Sequence, residues 1–399
     1  MQSFIFHGRI GALKSKVDKL SQVALQELSG FFGTAIPRSL FMQDPWRIQR
    51  RRAFSRQVTF WGMLSQVFSS SSSCRGALQR IQALRVSIRT SLVSTSTSAY
   101  CKARKRLSSR ILHRIRHRIA CQLEERTLPS QLWLGRKVRV VDSTSSWMPD
   151  TSVNQVRYPQ PSEQKKGCGF PVVKICALFS LATGAVIAAT KSSLHIHDGR
   201  LFRRLWRFLS SGDVILGDRA FCSFANIFLL QGRGIDVVFR LHQARLVDFR
   251  KGRRLAKNDR IIHWEKPPQR TKTMSKLEFE SFPDQMLLRE IKFTICARGF
   301  RTKCIFLVTT LLDPKAFPVA ALAELFRDRW MIELCFRDIK ITMGMEQLKC
   351  QSPQMIAKEI QVYLIGYNLV RTLMFDSAKT HNVSLELLSF KGTIHLILQ

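Results

Sequence analysis

The segment of this chain with most chemical potential runs from Phe326 to Lys340 and reads Phe-Arg-Asp-Arg-Trp-Met-Ile-Glu-Leu-Cys-Phe-Arg-Asp-Ile-Lys. On an α-helix, steps of three, four and seven residues return side chains to roughly one face. Phe326, Arg329, Glu333 and Lys340 are separated by those steps. One face of about four turns is therefore expected to present a ring, a guanidinium, a carboxylate and an ammonium in order. A carboxylate between two cations suits a site that holds a metal ion against a nucleic-acid phosphate. The plainer reading is an amphipathic helix with an ordinary Arg–Glu pair at i, i+4.

Two further acids follow short apolar runs. Lys137 to Val141 ends at Asp142, and Asp213-Val-Ile-Leu-Gly217 ends at Asp218. An acid after a strand is usually structural. Three carboxylates from two strand ends and a helix suit a different chemistry, because Mg²⁺ takes one or two carboxylates and completes its shell with water and substrate phosphate. Two such ions about 4 Å apart can activate an attacking oxygen and stabilise a leaving one.

The elements that must position these acids are legible in outline. Up to about residue 130 the pattern is helical and basic, with helices expected over Val17–Leu28 and Val58–Val67 and a loop at the serines of 69–73. From Thr97 to Leu123, Leu107, Ile111, Ile115 and Ile119 form an apolar seam at four-residue steps, and Arg106, Arg110, Arg114 and Arg118 run beside it. Eight Lys/Arg and no acid lie between Lys102 and Arg118. A solvated helix face normally mixes signs, so unmixed cations in register point to phosphate contact.

After Pro129, strands are expected at 137–141, 172–181, 185–190, 213–217 and 235–240, with helices at 201–209 and 224–231. Strand and helix alternating in this way is an α/β order. Residues 241–303 are polar and basic with strand-like pieces, as an insertion would be, and Lys303–Leu311 either closes that insertion or rejoins the main sheet. An apolar helix is expected over Ile356–Met374.

Composition narrows the partner. Sixty-four basic against 28 acidic residues leave a formal +36, while a hydrophobic content of 45% provides for folded cores. Such charge points to a polyanion, nucleic acid before an anionic membrane. No window has the run of about 18 apolar residues that a membrane span needs, and the amino terminus lacks the order of a signal peptide. A cytoplasmic, nucleoid-associated protein is expected. The ten cysteines include no C-x-x-C pair, so free thiols are expected rather than a zinc site. His195 and His197 alternate as metal ligands can, but have no matching third ligand nearby, and loop packing is the plainer reading. Trp264 could stack on a displaced base.

Val-Val-Asp142-Ser-Thr, Leu-Gly-Asp218-Arg-Ala-Phe and the Phe326/Arg329/Glu333/Lys340 spacing resemble the three catalytic regions of DDE transposases. The chain is most similar to the bacterial insertion-sequence-four (IS-four) family, whose signature is Y-x₂-R-x₃-E-x₆-K. Pro149-Asp150-Thr151, Gly169-Phe170-Pro171 and Arg327 to Glu333 add to the resemblance, which covers about residues 50–375. It implies an α/β fold with a ribonuclease H-like catalytic core interrupted by a β-rich insertion and preceded by an all-helical basic domain. The corresponding division is 1–130 helical and DNA-binding, 131–240 first part of the core, 241–312 insertion, 313–380 final core helices, and 381–399 a short tail.

The resemblance also implies cut-and-paste DNA transposition. Asp142, Asp218 and Glu333 would be both catalytic residues and ligands of two Mg²⁺ or Mn²⁺ ions. Arg329, Lys340 and Phe326 would contact double-stranded DNA, the terminal inverted repeats and target, in a complex built on a homodimer. Arg106, Arg110, Arg114 and Arg118 are the further DNA-binding residues. Phe326 stands where the signature has tyrosine, and the chain stops inside the apolar run Ile394-His-Leu-Ile-Leu398, as a shortened reading frame would. Two alternatives follow: an impaired, truncated relative that only binds DNA or inhibits active subunits, and a two-metal nuclease without strand transfer.

Overall fold

The computed structural model describes residues 25–42, 52–69, 72–165, 167–242, 245, 247–270, 274–295 and 303–397. The start of the helix expected from Val17, two serines of the 69–73 loop, and Cys296 lie outside the described residues. The chain divides into two compact units, Met1–Ala120 with Asp338–Gln399, and Cys121–Arg337.

The first unit opens with α1 (Leu25–Phe32), α2 (Arg56–Phe68), α3 (Cys74–Ser87), α4 (Ser98–Arg106) and α5 (Ser109–Glu125). Serines start two of them. Ser55 accepts from the Val58 amide at 3.2 Å and Ser73 from the Gly76 amide at 2.9 Å, each satisfying a donor that a helix start leaves unpaired. The expected seam is present: Leu107, Ile111, Ile115 and Ile119 are all buried. It does not lie on one helix, however. Leu107 takes an extended backbone (φ −60°, ψ 121°) that ends α4 and lets α5 begin anew at Ser109.

In the second unit, β1 (Val138–Trp147), α6 (Ser152–Arg157), β2 (Val172–Ser180), β3 (Val186–Ser193) and α7 (Asp198–Arg203) come first. β4 (Val214–Gly217), α8 (Phe224–Gln231) and β5 (Asp236–Arg240) follow. Then come β6 (Arg253–Ala256), β7 (Asp259–Glu265), α9 (Lys276–Glu280), β8 (Gln285–Ile295) and β9 (Lys303–Thr309). All nine strands form one sheet in the order β3-β2-β1-β4-β5-β9-β8-β7-β6. The pairs β1/β4 and β4/β5 are parallel, and the rest are antiparallel. β9 pairs with both β5 and β8, so Lys303–Leu311 rejoins the main sheet and carries β6–β8 onto its edge.

Buried ion pairs fix that extension. Arg289 reaches both oxygens of Asp259 at 2.8 and 2.7 Å and donates to the Phe317 carbonyl at 2.7 Å. Arg260 pairs with Glu290, which also accepts from the Trp264 indole at 2.8 Å. Each buried charge thus has its counter-charge and extra hydrogen bonds, the condition under which burial is tolerated.

The unit closes with α10 (Val319–Asp328) and α11 (Trp330–Arg337). A π-helical turn, Asp338–Thr342, and two helices, α12 (Pro353–His381) and α13 (Phe390–Ile397), return the chain to the first unit. There α12 packs on α2, and the wholly buried Arg116 of α5 donates to Gln361 at 3.0 Å. No described helix is long and apolar enough to cross a membrane.

Candidate active site

Strand register sets the site. Val141 of β1 pairs with Gly217 of β4, and Gly217 pairs with Phe239 of β5. One residue further along these three parallel strands stand Asp142, Asp218 and Arg240. Residues at matching positions of neighbouring strands project to the same face of a sheet. The carboxyl ends of parallel strands are also where open α/β sheets bind their ligands. Arg240 Nη1 lies 3.8 Å from Asp218 Oδ1. Arg240 was not singled out from sequence; its place at the end of a strand neighbouring Asp218's, with a matching offset, is the signal that could have found it.

Asp142 does not end its strand, contrary to the reading from its apolar run. β1 continues through Ser143-Thr-Ser-Ser146 to Trp147, paired with β2 throughout. The polar stretch holds strand form because β2 supplies its ladder partners, Ala177 opposite Asp142 among them. Asp218 does end its strand and begins the short helical turn Arg219–Phe221. Gly217 allows a close approach between Asp218 and the core: a Cβ there would meet Val141 at 3.0 Å and the Phe239 ring at 3.1 Å, tighter than ordinary contact.

Glu333 lies in the first turn of α11, which packs on β1. Phe336, one turn on, meets Phe179 of β2 edge to face at 4.9 Å and anchors the helix on the sheet. Arg329 Nη2 donates to Glu333 Oε1 at 2.8 Å, the i, i+4 pair expected. Phe326 is 5% exposed and packs against Phe293 at 6.4 Å, with the Arg329 guanidinium 5.6 Å above its ring. The ring thus supports Arg329 from within.

The single face from Phe326 to Lys340 requires correction. α10 ends at Asp328, Arg329 forms the junction, and α11 starts at Trp330. Beyond Arg337 the backbone widens to a π pattern, with the Met343 amide bonding the Asp338 carbonyl at 2.9 Å. The α-helical step that would align Lys340 with Glu333 does not run through that turn. Lys340 pairs there with Glu346 at 3.6 Å.

Charge crowding marks Asp142. Burial lifts its carboxyl to about 6, with Glu333 and Asp218 adding to the rise, while the Ser143 amide and Arg329 oppose it. The Ser143 bond is short, 2.8 Å. Asp218 Oδ1 is buried with no hydrogen-bond donor. A desolvated carboxyl beside a second one, whose buried Oδ1 has a guanidinium 3.8 Å away but no hydrogen bond, is what a hard divalent cation would relieve, and the donors are all oxygen. Asp142 and Asp218 therefore fit such an ion as a pair, with Glu333 near enough to be felt but held by Arg329. Among the described residues, no three His, Cys, Asp or Glu groups stand close enough to enclose an ion by themselves.

The remaining expectations fall elsewhere. Arg106 is exposed on α4, and Arg110, Arg114 and Arg118 are exposed on α5, where the last three line a basic groove with Arg56, His113 and His117. His197 caps α7, accepting from the Gly199 amide at 3.1 Å, and His195 is exposed beside it. Trp264 is 3% exposed and covered by Arg245, whose guanidinium lies 3.5 Å from the ring, so it offers no open face to a base.

The unit is thus a mixed α/β sheet with one acid within β1, a second just past the end of the adjacent parallel β4 and a third on a late helix. The chain belongs to the transposase DDE domain family, whose model matches residues 133–369. It is 26% identical over 292 residues to transposase InsG of insertion sequence element IS4 from Escherichia coli K12, a match covering 71% of this chain and 62% of that relative. The chain thus spans less than two thirds of that relative's length. Its fold is similar to that of the piggyBac transposase in a synaptic complex with hairpin DNA, with a TM-score of 0.50 at 10% identity over 96% of this chain and 79% of that one. Members of the DDE family work with divalent metal ions.

Proposed function

We propose that the protein is a DNA transposase that excises and inserts an insertion sequence by cut and paste, cleaving and rejoining phosphodiesters. The observation that carries this reading is the side-by-side placement of Asp142 and Asp218, with Glu333 close enough to raise the Asp142 carboxyl. The strand order β3-β2-β1-β4-β5 supports a ribonuclease H-like core, with β6–β9, which extend that sheet from β5, as its β-rich insertion and the basic helices before it as the DNA-binding region.

Asp142 and Asp218 would hold Mg²⁺ or Mn²⁺, two ions with Glu333 as a further ligand. When bound, these ions would supply Lewis-acid activation of the attacking oxygen and charge stabilisation of the leaving one. The chain's own residues do the rest. Arg240 and Arg329 present guanidinium groups beside the carboxylates, where a fork geometry suits phosphate oxygens. Phe326 fixes Arg329 from below. Lys340 adds a compact cation for the transposon-end backbone. Arg106, Arg110, Arg114 and Arg118 neutralise phosphates further along the duplex. Terminal inverted repeats, target DNA and a homodimeric complex in the bacterial cytoplasm complete the reading.

The test is incubation with duplex DNA carrying the element's own ends, with Mg²⁺ or Mn²⁺, comparing wild type with Glu333→Gln. Cleavage followed by joining in wild type alone is expected. Binding without cleavage in both would leave a DNA-binding relative, and cleavage without joining would leave a nuclease.

A further inference from the structure

Three thiols gather around one guanidinium in the helical unit. Cys74 opens α3, Cys101 lies on α4, and Cys350 precedes α12. Arg104 donates to Cys74 Sγ at 2.9 Å and to Cys350 Sγ at 3.2 Å. Cys101 donates to Cys74 Sγ at 3.9 Å, and Gln66 Nε2 reaches the same sulfur at 3.8 Å. Sulfur is a weak acceptor, so three donors on one atom are more than a neutral thiol needs.

We propose that Cys74 and Cys101 are a redox modification site, closing to an intramolecular disulfide by exchange with a low-molecular-weight disulfide. The two sulfurs lie 3.9 Å apart. Bond formation brings them to about 2.05 Å. Gln66 holds the pair in register: it accepts from the Tyr100 hydroxyl at 2.8 Å, beside Cys101, and donates to the Ser72 carbonyl at 2.9 Å, just before Cys74. A cavity of about 720 Å³, lined by Gln66, Cys74, Cys101, Arg104 and Cys350, gives a small reagent access.

Cys74 is the attacking sulfur. Arg104 supplies a counter-cation, and the α3 amino terminus adds the positive end of its dipole. The Cys74 thiolate attacks one sulfur of the reagent, the reagent's S–S bond breaks, and one small thiolate leaves. Cys101, having lost its proton to solvent, then attacks Cys74 Sγ and displaces the second small thiolate. Two protein thiols are oxidised and one small disulfide is reduced to two thiols. Burial and Cys74 raise the Cys101 thiol as burial and Glu359 raise that of Cys350, but Cys350 is the less suitable partner because it also donates to the Glu359 carboxylate. In a reducing cytosol such a bond is transient, as redox-sensing disulfides are.

The test uses the full chain equilibrated in glutathione buffers from reducing to oxidising, quenched by alkylation and mapped by peptide mass spectrometry. The expected result is a Cys74–Cys101 link appearing at a defined glutathione ratio with loss of two hydrogens, lost in Cys74→Ser and in Cys101→Ser. Arg104→Gln should slow its formation at unchanged pH. The exposed Cys168 and Cys304 should form only mixed disulfides with glutathione. Mapping the wild-type protein needs no variant to fold. A wild-type map with Cys74 and Cys101 both alkylated under oxidising conditions, or with Cys74 joined to Cys350, would overturn the proposal.

Discussion

Asp142 and Asp218 are neighbours by strand register: each follows one half of the Val141–Gly217 pair on adjacent parallel strands. Nothing in the loops needs to bring them together. Two carboxylates held this way repel each other whenever both are ionised, and the burial of Asp142 adds the larger cost. A preorganised site of this kind lowers stability where it supports function.

That cost has a pH signature in the metal-free protein. Asp142 titrates near 6 when folded against 3.8 as its ordinary value. A carboxyl whose folded value is raised opposes folding when ionised. Its cost, roughly 3 kcal/mol, is fully present above about pH 6, shrinks as pH falls, and is gone once both states are protonated. Asp142→Asn should therefore unfold at higher denaturant than wild type at pH 7.5 in chelator, the gap narrowing toward pH 4, and a gap that stays constant with pH would contradict this origin.

Arg329→Ala separates function from stability. Its pair with Glu333 is partly exposed, and such pairs stabilise by about 0–1 kcal/mol. Urea unfolding should shift little while end cleavage falls sharply. Phe326→Ala should do the opposite first, costing about 3–5 kcal/mol by emptying a buried aromatic position.

Gly217→Val tests the register. Its side chain would press on Val141 and Phe239, the residues that carry the site's neighbours. Overpacking of this sort costs about 1–3 kcal/mol. Reduced stability with reduced cleavage is expected, measured side by side; wild-type values for both would refute the close approach.

The basic groove on α5 is open to a salt titration. Each of Arg110, Arg114 and Arg118 replaced singly by Gln should lower the slope of log affinity against log salt by about 0.9, the value of one released counterion on duplex DNA. An unchanged slope would remove that residue from the phosphate path.

Much of the layout was readable because it rests on local pattern. α8 spans Phe224–Gln231 as expected, since an apolar run between Ser223 and Gly232 carries its own start and stop. The seam of Leu107, Ile111, Ile115 and Ile119 is buried as its spacing required. What failed was decided by distant partners. Ser143–Ser146 is too polar to read as strand and becomes one because β2 pairs with it. The π turn after Arg337 has no proline or glycine at its start to announce it. Arg240 stayed hidden because its meaning comes only from the register of β4 with β5.

Iron-directed cleavage of the protein chain tests the central claim most directly. Fe²⁺ in place of Mg²⁺, with ascorbate and peroxide, produces radicals that cut the backbone beside the bound ion. Cuts should cluster near Asp142, Asp218 and Glu333 together, all suppressed by excess Mg²⁺ and all lost in Asp218→Asn. Cuts at only one of these segments, or a pattern indifferent to Asp218→Asn, would contradict a shared metal site.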